Sequence, residues 1–167
     1  FTEVDSIMEI GSGLGRQVEV IKKLYPDTTF YLIDIPPQLY LAEQYLSSVF
    51  PDSVIGYRET RDWKEIPKDK EGKIFILGNY TLPEFKNIEY DMFWNSASFQ
   101  EMEPEVVSNY LKYVNEQTNK FSFLEEVMEG KELATEKGDH GVIEQTKLKH
   151  YKEGLQDFEL VDLRNGI

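Results

Sequence analysis

Apolar residues along this chain recur with a period that changes from block to block. Ile7-Met8-Glu9-Ile10 is a short, almost continuous apolar run, the pattern of a strand covered on both faces. After Gly11-Ser12-Gly13-Leu14-Gly15 the spacing becomes helical. Leu14, Val18, Ile21 and Leu24 recur every three or four residues, Arg16, Gln17, Lys22 and Lys23 fall on the other faces, and Pro26-Asp27 ends the run. Residues 29–33 form a second apolar run, closed by Asp34. Strand, helix and strand at these lengths predict a right-handed βαβ unit with parallel strands.

Pro36 and Pro37 open another helix, whose buried stripe is Leu39, Ala42, Leu46 and Val49 and which Pro51-Asp52 closes. Two strand candidates follow, 54–57 and 73–77, separated by a charged, turn-rich stretch. The second is the better third core strand because Ile74-Phe75-Ile76-Leu77 is the more continuous apolar run. Residues 91–95 read as a fourth strand, Pro104 begins a helix with the stripe Val107, Tyr110, Leu111 and Val114, and residues 121–124 read as a fifth strand. The glycine- and charge-rich run 125–141 reads as a surface loop long enough to be a lid over an acceptor site. A last helix is expected over 142–155 and a strand over 158–163. Asn165-Gly166 then signals a hairpin turn, so the chain reads as a fragment short of its final strand and of a segment before Phe1. Unpaired edges would then favour association.

Composition narrows the class. With 167 residues, 40% of them apolar and 29% charged, the chain has the size and balance of one globular domain, and no window reaches the length of a membrane span. Cysteine is absent, which excludes disulfides, thiolate metal sites and a cysteine nucleophile. The start of the chain lacks a basic and apolar secretion segment, which favours a cytoplasmic setting. Eighteen Lys and Arg against 31 Asp and Glu leave a formal charge of −13. Such a surface repels phosphate backbones and anionic membranes, and it also simply aids solubility.

Alternating strands and helices put ligands at the carboxyl ends of parallel strands, near the point where strand order reverses. The glycine run 11–15 lies at such an end, where its backbone can approach a ligand closely and the next helix offers free amides to an anionic group. A dinucleotide fingerprint, G-x-G-x-x-G, requires glycine at position 16, where this chain has Arg16. The sequence instead reads Glu9-x-Gly11-x-Gly13-x-Gly15, with Asp34 at the end of the second strand, 23 residues after Gly11, placed to bind two ribose hydroxyls.

This E-x-G-x-G-x-G, followed by a helix, a strand and a terminal acid, resembles the first motif of the class I S-adenosylmethionine-dependent methyltransferases. The resemblance implies a Rossmann-like α/β fold with helices on both faces of a mostly parallel sheet. It also implies an adenosylmethionine site built from Glu9, Gly11, Ser12, Gly13, Gly15, Asp34 and Ile35. Asn95-Ser96-Ala97-Ser98-Phe99-Gln100-Glu101-Met102 is similar to the N-x-x-S-F-x-E-M stretch of the sugar O-methyltransferase family. Asp34-Ile35-Pro36, Asn79 and the helix after Glu105 occur in the same order in that family. By this resemblance Asn79 and Tyr80 would flank the adenine, and Asn95 and Ser96 would approach the methionine portion.

Asn79 also suits a left-handed turn, and Ser98 with Glu101 also fits a helix capping box. As a carboxylate in a cleft, Glu101 is equally a candidate general base. His140, beside Asp139 in the expected lid, is a second catalytic candidate, while His150 reads as a surface residue. Neither histidine has the spacing of a zinc site, so no metal is expected. The expected activity is methyl transfer to a hydroxyl of a small molecule, a sugar by the family resemblance. The alternative is a nucleotide-binding or scaffold module without turnover.

Overall fold

The computed structural model describes residues 3–67, 71–85, 88–136 and 139–164. Its centre is β1 (Ser6–Ile10), flanked by β2 (Thr29–Asp34) on one side and β5 (Tyr90–Ser96) on the other. Beyond β2 lie β4 (Ile74–Gly78) and the two-residue β3 (Val54–Ile55); beyond β5 lies β6 (Thr118–Glu125). The order is β3-β4-β2-β1-β5-β6 and every pair is parallel. Both candidates in the 53–77 region are therefore strands. Ile74–Gly78 takes the core position beside β2, and Val54–Ile55 extends the sheet outside it.

Alternation along the strands divides the core into two layers. Met8, Ile10, Ile33, Phe75, Leu77 and Phe93 face α4 (Pro104–Gln117), whose Val107, Leu111 and Val114 are fully buried against them. Ile7, Phe30, Leu32, Ile74 and Ile76 face α1 (Arg16–Leu24) and α2 (Pro36–Val49), which contribute Val18, Ile21, Leu39 and Leu46. A short α3 (Tyr57–Thr60) packs against β4, and α5 (Leu148–Gly154) packs against α4.

Several expectations are corrected. The α1 helix begins at Arg16, so Leu14 stays exposed in the loop, and Leu24 is also exposed. Lys22, assigned by periodicity to a polar face, is buried. Its ammonium donates to the carbonyls of Thr28 at 2.9 Å and of Pro26 and Gly72 at 2.5 Å. Three carbonyls replace the water it gives up, although burial still pushes its pKa below the usual lysine range. Lys22→Met keeps the stem but leaves those carbonyls without a donor, and is expected to cost about 1 to 3 kcal/mol in denaturant unfolding. An unchanged midpoint would show that water substitutes freely.

The last helix is confined to Leu148–Gly154 because Val142 is drawn into a bridge with Leu133, and Ala134 N–H donates to the Val142 carbonyl. Residues 158–163 do not form a strand: Phe158 packs on the α4-side core, while Leu160, Val161 and Leu163 remain exposed. They do not join β6, although β6 is the last strand of the sheet and is paired among the described residues only with β5. The Asn165-Gly166 turn lies outside the described residues. No helix among the described residues is long and apolar enough to cross a membrane.

Candidate functional site

Strand order reverses at β1. The chain leaves β1 towards β2 and β4 and later returns on the opposite side as β5, so the carboxyl ends of β1 and β5 frame the crevice where such sheets bind ligands. The ends of β1, β2, β4 and β5 bring Gly11, Asp34, Asn79 and Asn95 to one edge of the sheet.

The glycine loop is shaped by three left-handed residues, Gly11, Gly13 and Gly15, with φ of 76°, 55° and 76°. The first two need glycine for different reasons. A methyl group at Gly11 would run into Ser98, whose hydroxyl and Cβ occupy that space, whereas one at Gly13 would meet nothing within 4 Å. Gly11→Ala is therefore expected to lower stability by about 2 kcal/mol or more, from strain and overlap together. Gly13→Val should cost only about 1 to 2 kcal/mol of strain but fill the open space over the loop. Thermal unfolding compared with ligand titration separates the two, and equal behaviour of the variants would refute the distinction.

Asp34 closes this loop from β2. Its Oδ2 accepts the Gly13 amide at 2.9 Å and its Oδ1 the Ile35 amide at 2.7 Å. A carboxylate has about four acceptor positions, so two are still available once these bonds have fixed its orientation. Burial raises its pKa, and the Gly13 and Ile35 amides oppose the rise. Behind it, Glu9 is only 5% exposed, and its carboxyl is pushed up to about 8 by burial and by the charge of Asp34. Among the described residues neither acid has a salt-bridge partner. The Ser12 hydroxyl is also buried, with no hydrogen-bond partner among the described residues.

Asn95 is fully buried. Its Nδ2 donates to the Ile10 carbonyl at 2.7 Å and to Ser98 Oγ at 2.8 Å, and its Oδ1 accepts the Phe99 amide at 3.3 Å. Ser98 Oγ donates to the same Ile10 carbonyl at 3.0 Å. Asn95 and Ser98 thus hold the base of the glycine loop to the end of β5. Ser96 Oγ donates to Glu125 Oε2 at 2.8 Å, and between these residues Ala97 takes φ 59° to turn the chain back over β1.

The capping box expected of Ser98 and Glu101 does not form, because the Ser98 hydroxyl is committed to Ile10 and Asn95. Glu101 N–H bonds to the Ser98 backbone carbonyl instead. The Glu101 carboxylate pairs with Lys131 Nζ at 2.6 Å on an exposed flank. His140 is likewise exposed, with Glu132 3.4 Å away, and is not brought to the strand ends by any contact among the described residues. His150 Nδ1 accepts the Lys147 amide at the start of α5.

At the end of β4, Asn79 opens a 3-10 helix (Asn79–Glu84) and is not left-handed. Its Nδ2 lies 3.4 Å from the Tyr110 hydroxyl. The Tyr80 ring folds over Gly78, and its hydroxyl shares a hydrogen with Tyr57 at 2.7 Å, which pushes its pKa up to about 12. Asn79, Tyr80, Leu82, Tyr110 and Tyr113 line a cleft of about 400 Å³ between this segment and α4. None of the residues that line it belongs to the glycine loop.

One acid escaped the sequence reading. Glu126, immediately after β6, accepts the Gln100 amide on Oε2 at 2.9 Å, and the Val127 amide donates to Gln100 Oε1 at 2.8 Å. Its signal was the acid pair 125–126 closing an apolar run, the same relation that Asp34 has to β2.

Sheet order and the glycine loop at the point where that order reverses together define a Rossmann-like α/β fold. No family model matches the sequence, and no curated protein matches it. Solved structures do match. The structure of PigF with SAH aligns with a TM-score of 0.56 and 16% identity, over 93% of this chain and 45% of that one. The S-adenosylmethionine-dependent methyltransferase SibL in its apo form aligns at 0.53 and 10%, over 93% and 44%. The pyocyanin biosynthetic protein PhzM aligns at 0.52 and 12%, over 92% and 43%. At these identities the shared property is the fold, and the chain spans less than half the length of these structures.

Proposed function

We propose that this chain binds adenosylmethionine along the carboxyl edge of its sheet and catalyses methyl transfer to a small-molecule hydroxyl. The observation that carries the reading is the closure of the glycine loop by Asp34, with its carboxylate fixed by Gly13 and Ile35 and its remaining acceptor positions available for a ribose diol. The orphaned Ser12 hydroxyl and the open space over Gly13 suit a ligand lying on the loop. Asp34, with no basic partner among the described residues, favours a ligand carrying positive charge and disfavours a pyrophosphate. The aromatic cleft beside Asn79 and Tyr80 suits a flat heteroaromatic ring.

When bound, adenosylmethionine supplies an electrophilic methyl group on a sulfonium. The protein's part is to hold that methyl group and the acceptor oxygen in line at about 3 to 3.5 Å and to remove the hydroxyl proton. A sugar acceptor is supported by the resemblance of the stretch from Asn95 to Met102. Calorimetry with adenosylmethionine, adenosylhomocysteine and NAD tests the reading. The first two are expected to bind and NAD is not. Tighter binding of NAD would reassign the site to dinucleotides.

A further inference from the structure

Along the strand ends the site runs from Asn79 at β4 through Asp34 at β2 to Gly11 at β1, and the next positions in this direction are β5 and β6. The turn at Ala97 folds the chain back so that Ser98 touches both Ile10 and the space over Gly11. Glu126 rests on the amide of Gln100 in this same turn, so a few residues separate its carboxyl from the glycine loop. Its second oxygen, Oε1, is buried and has no hydrogen-bond partner among the described residues, and the same holds for the Tyr151 hydroxyl of α5. The charge of Glu126 is felt at that hydroxyl. Phe99 stacks on Tyr151 at 6.5 Å and on Tyr110, which lines the aromatic cleft, at 6.1 Å. Buried polar atoms are usually paired, and these two belong to neighbouring side chains, so that one polar ligand group can satisfy both.

We infer that Glu126, and neither Glu101 nor His140, is the acceptor-side carboxylate: its Oε1 takes the proton of the acceptor hydroxyl, with Tyr151 hydrogen-bonding the acceptor. The inference rests on the methyl-transfer reading above. A lone pair of the acceptor oxygen forms the new O–C bond, the methyl C–S bond breaks with its electrons remaining on sulfur, and the O–H proton passes to Oε1. Glu101 is less suited because its charge is already matched by Lys131. The groups facing Glu126 are Glu101 from the turn after β5, with Lys131 paired to it, Tyr151 from α5, and the amides of residues 98–100. Burial pushes the Glu126 carboxyl up to about 7, the amides draw it back, and Glu101 adds to the rise. A base in that range is available unprotonated near neutrality and still accepts a proton.

The test needs no acceptor. In protein labelled with ¹³C at glutamate carboxyls, one resonance should titrate near pH 7 and be missing in E126Q, which retains an oxygen for the Gln100 amide. Should E126Q not fold, E126D assigns the resonance by displacing it. Saturation with adenosylmethionine should lower this titration by about one unit or more relative to adenosylhomocysteine, because only the former places a sulfonium charge nearby. Calorimetry on E126Q should show the preference for adenosylmethionine over adenosylhomocysteine falling about fivefold or more. If both compounds bind and the Glu126 titration is the same in the two complexes, the inference is overturned and the methyl-transfer reading stands. If neither binds, both fall.

Discussion

Replacing Asp34 with Ala is expected to weaken adenosylmethionine binding by about 2 to 4 kcal/mol, roughly 30- to 1000-fold in Kd, since two ribose hydroxyls lose a charged acceptor. Stability should change far less. The Gly13 and Ile35 amides that Asp34 now holds lie in part-buried and exposed positions, where water takes the place of the carboxylate at a cost of about 1 kcal/mol. Asp34→Asn should fall between wild type and Asp34→Ala, because it keeps one acceptor oxygen. Calorimetry beside thermal unfolding makes the comparison, and a Kd within about threefold of wild type would remove Asp34 from the binding site.

Glu9→Gln should produce the largest change in stability, and its size depends on pH. The Glu9 carboxyl moves from an ordinary value of 4.5 to about 8 in the folded chain. Between these values the folded state holds a proton that the unfolded state has released, so wild-type stability falls as pH rises across the window and levels off above it. At one proton the slope is about 1.4 kcal/mol per pH unit. Glutamine is neutral throughout and removes the slope. At pH 8 the variant is expected to exceed wild type by about 3 to 5 kcal/mol, and below pH 4.5 the two should nearly coincide. Asp34 shifts in the same direction and adds to the wild-type slope. Urea unfolding at several pH values reads this directly. Parallel curves for the two proteins would mean that Glu9 ionises freely in the fold.

The βαβ start of the chain was legible because each of its signals is local: an apolar run, three glycines at alternate positions, a helical stripe and an acid at a strand end. The same acid-after-strand signal marks Glu126, but the glycines and charges that follow it look like a solvated loop. What ties that loop down lies far off in sequence, such as Gln100 and Met102, whose carbonyl accepts the Thr146 hydroxyl at 2.6 Å. Lys22 was misplaced because helical periodicity separates polar from apolar faces and is blind to three carbonyls converging from two other loops. The segment from Asn95 to Met102 was recognised as special, yet the geometry divides it more finely than a motif can. Asn95 and Ser98 hold the glycine loop, Phe99 fills the core, Gln100 grips residues 126–127, and Glu101 pairs with Lys131 on the surface. Residues 158–163 carry strand-forming side chains, and their state depends on whether a neighbouring edge accepts them, which local pattern does not encode.

The clamp from Asn95 to the Ile10 carbonyl joins residues 85 apart in sequence. A chain emerging or refolding from its N-terminus can complete the β1–β2 pair early, but the glycine loop then has nothing beneath it until β5 arrives. Closing a loop of that length is slow relative to forming the local βαβ unit. Competence to bind a nucleoside should accordingly appear late in refolding, in step with β1–β5 docking and behind the recovery of helical signal. The site would then report that the whole sheet has been assembled.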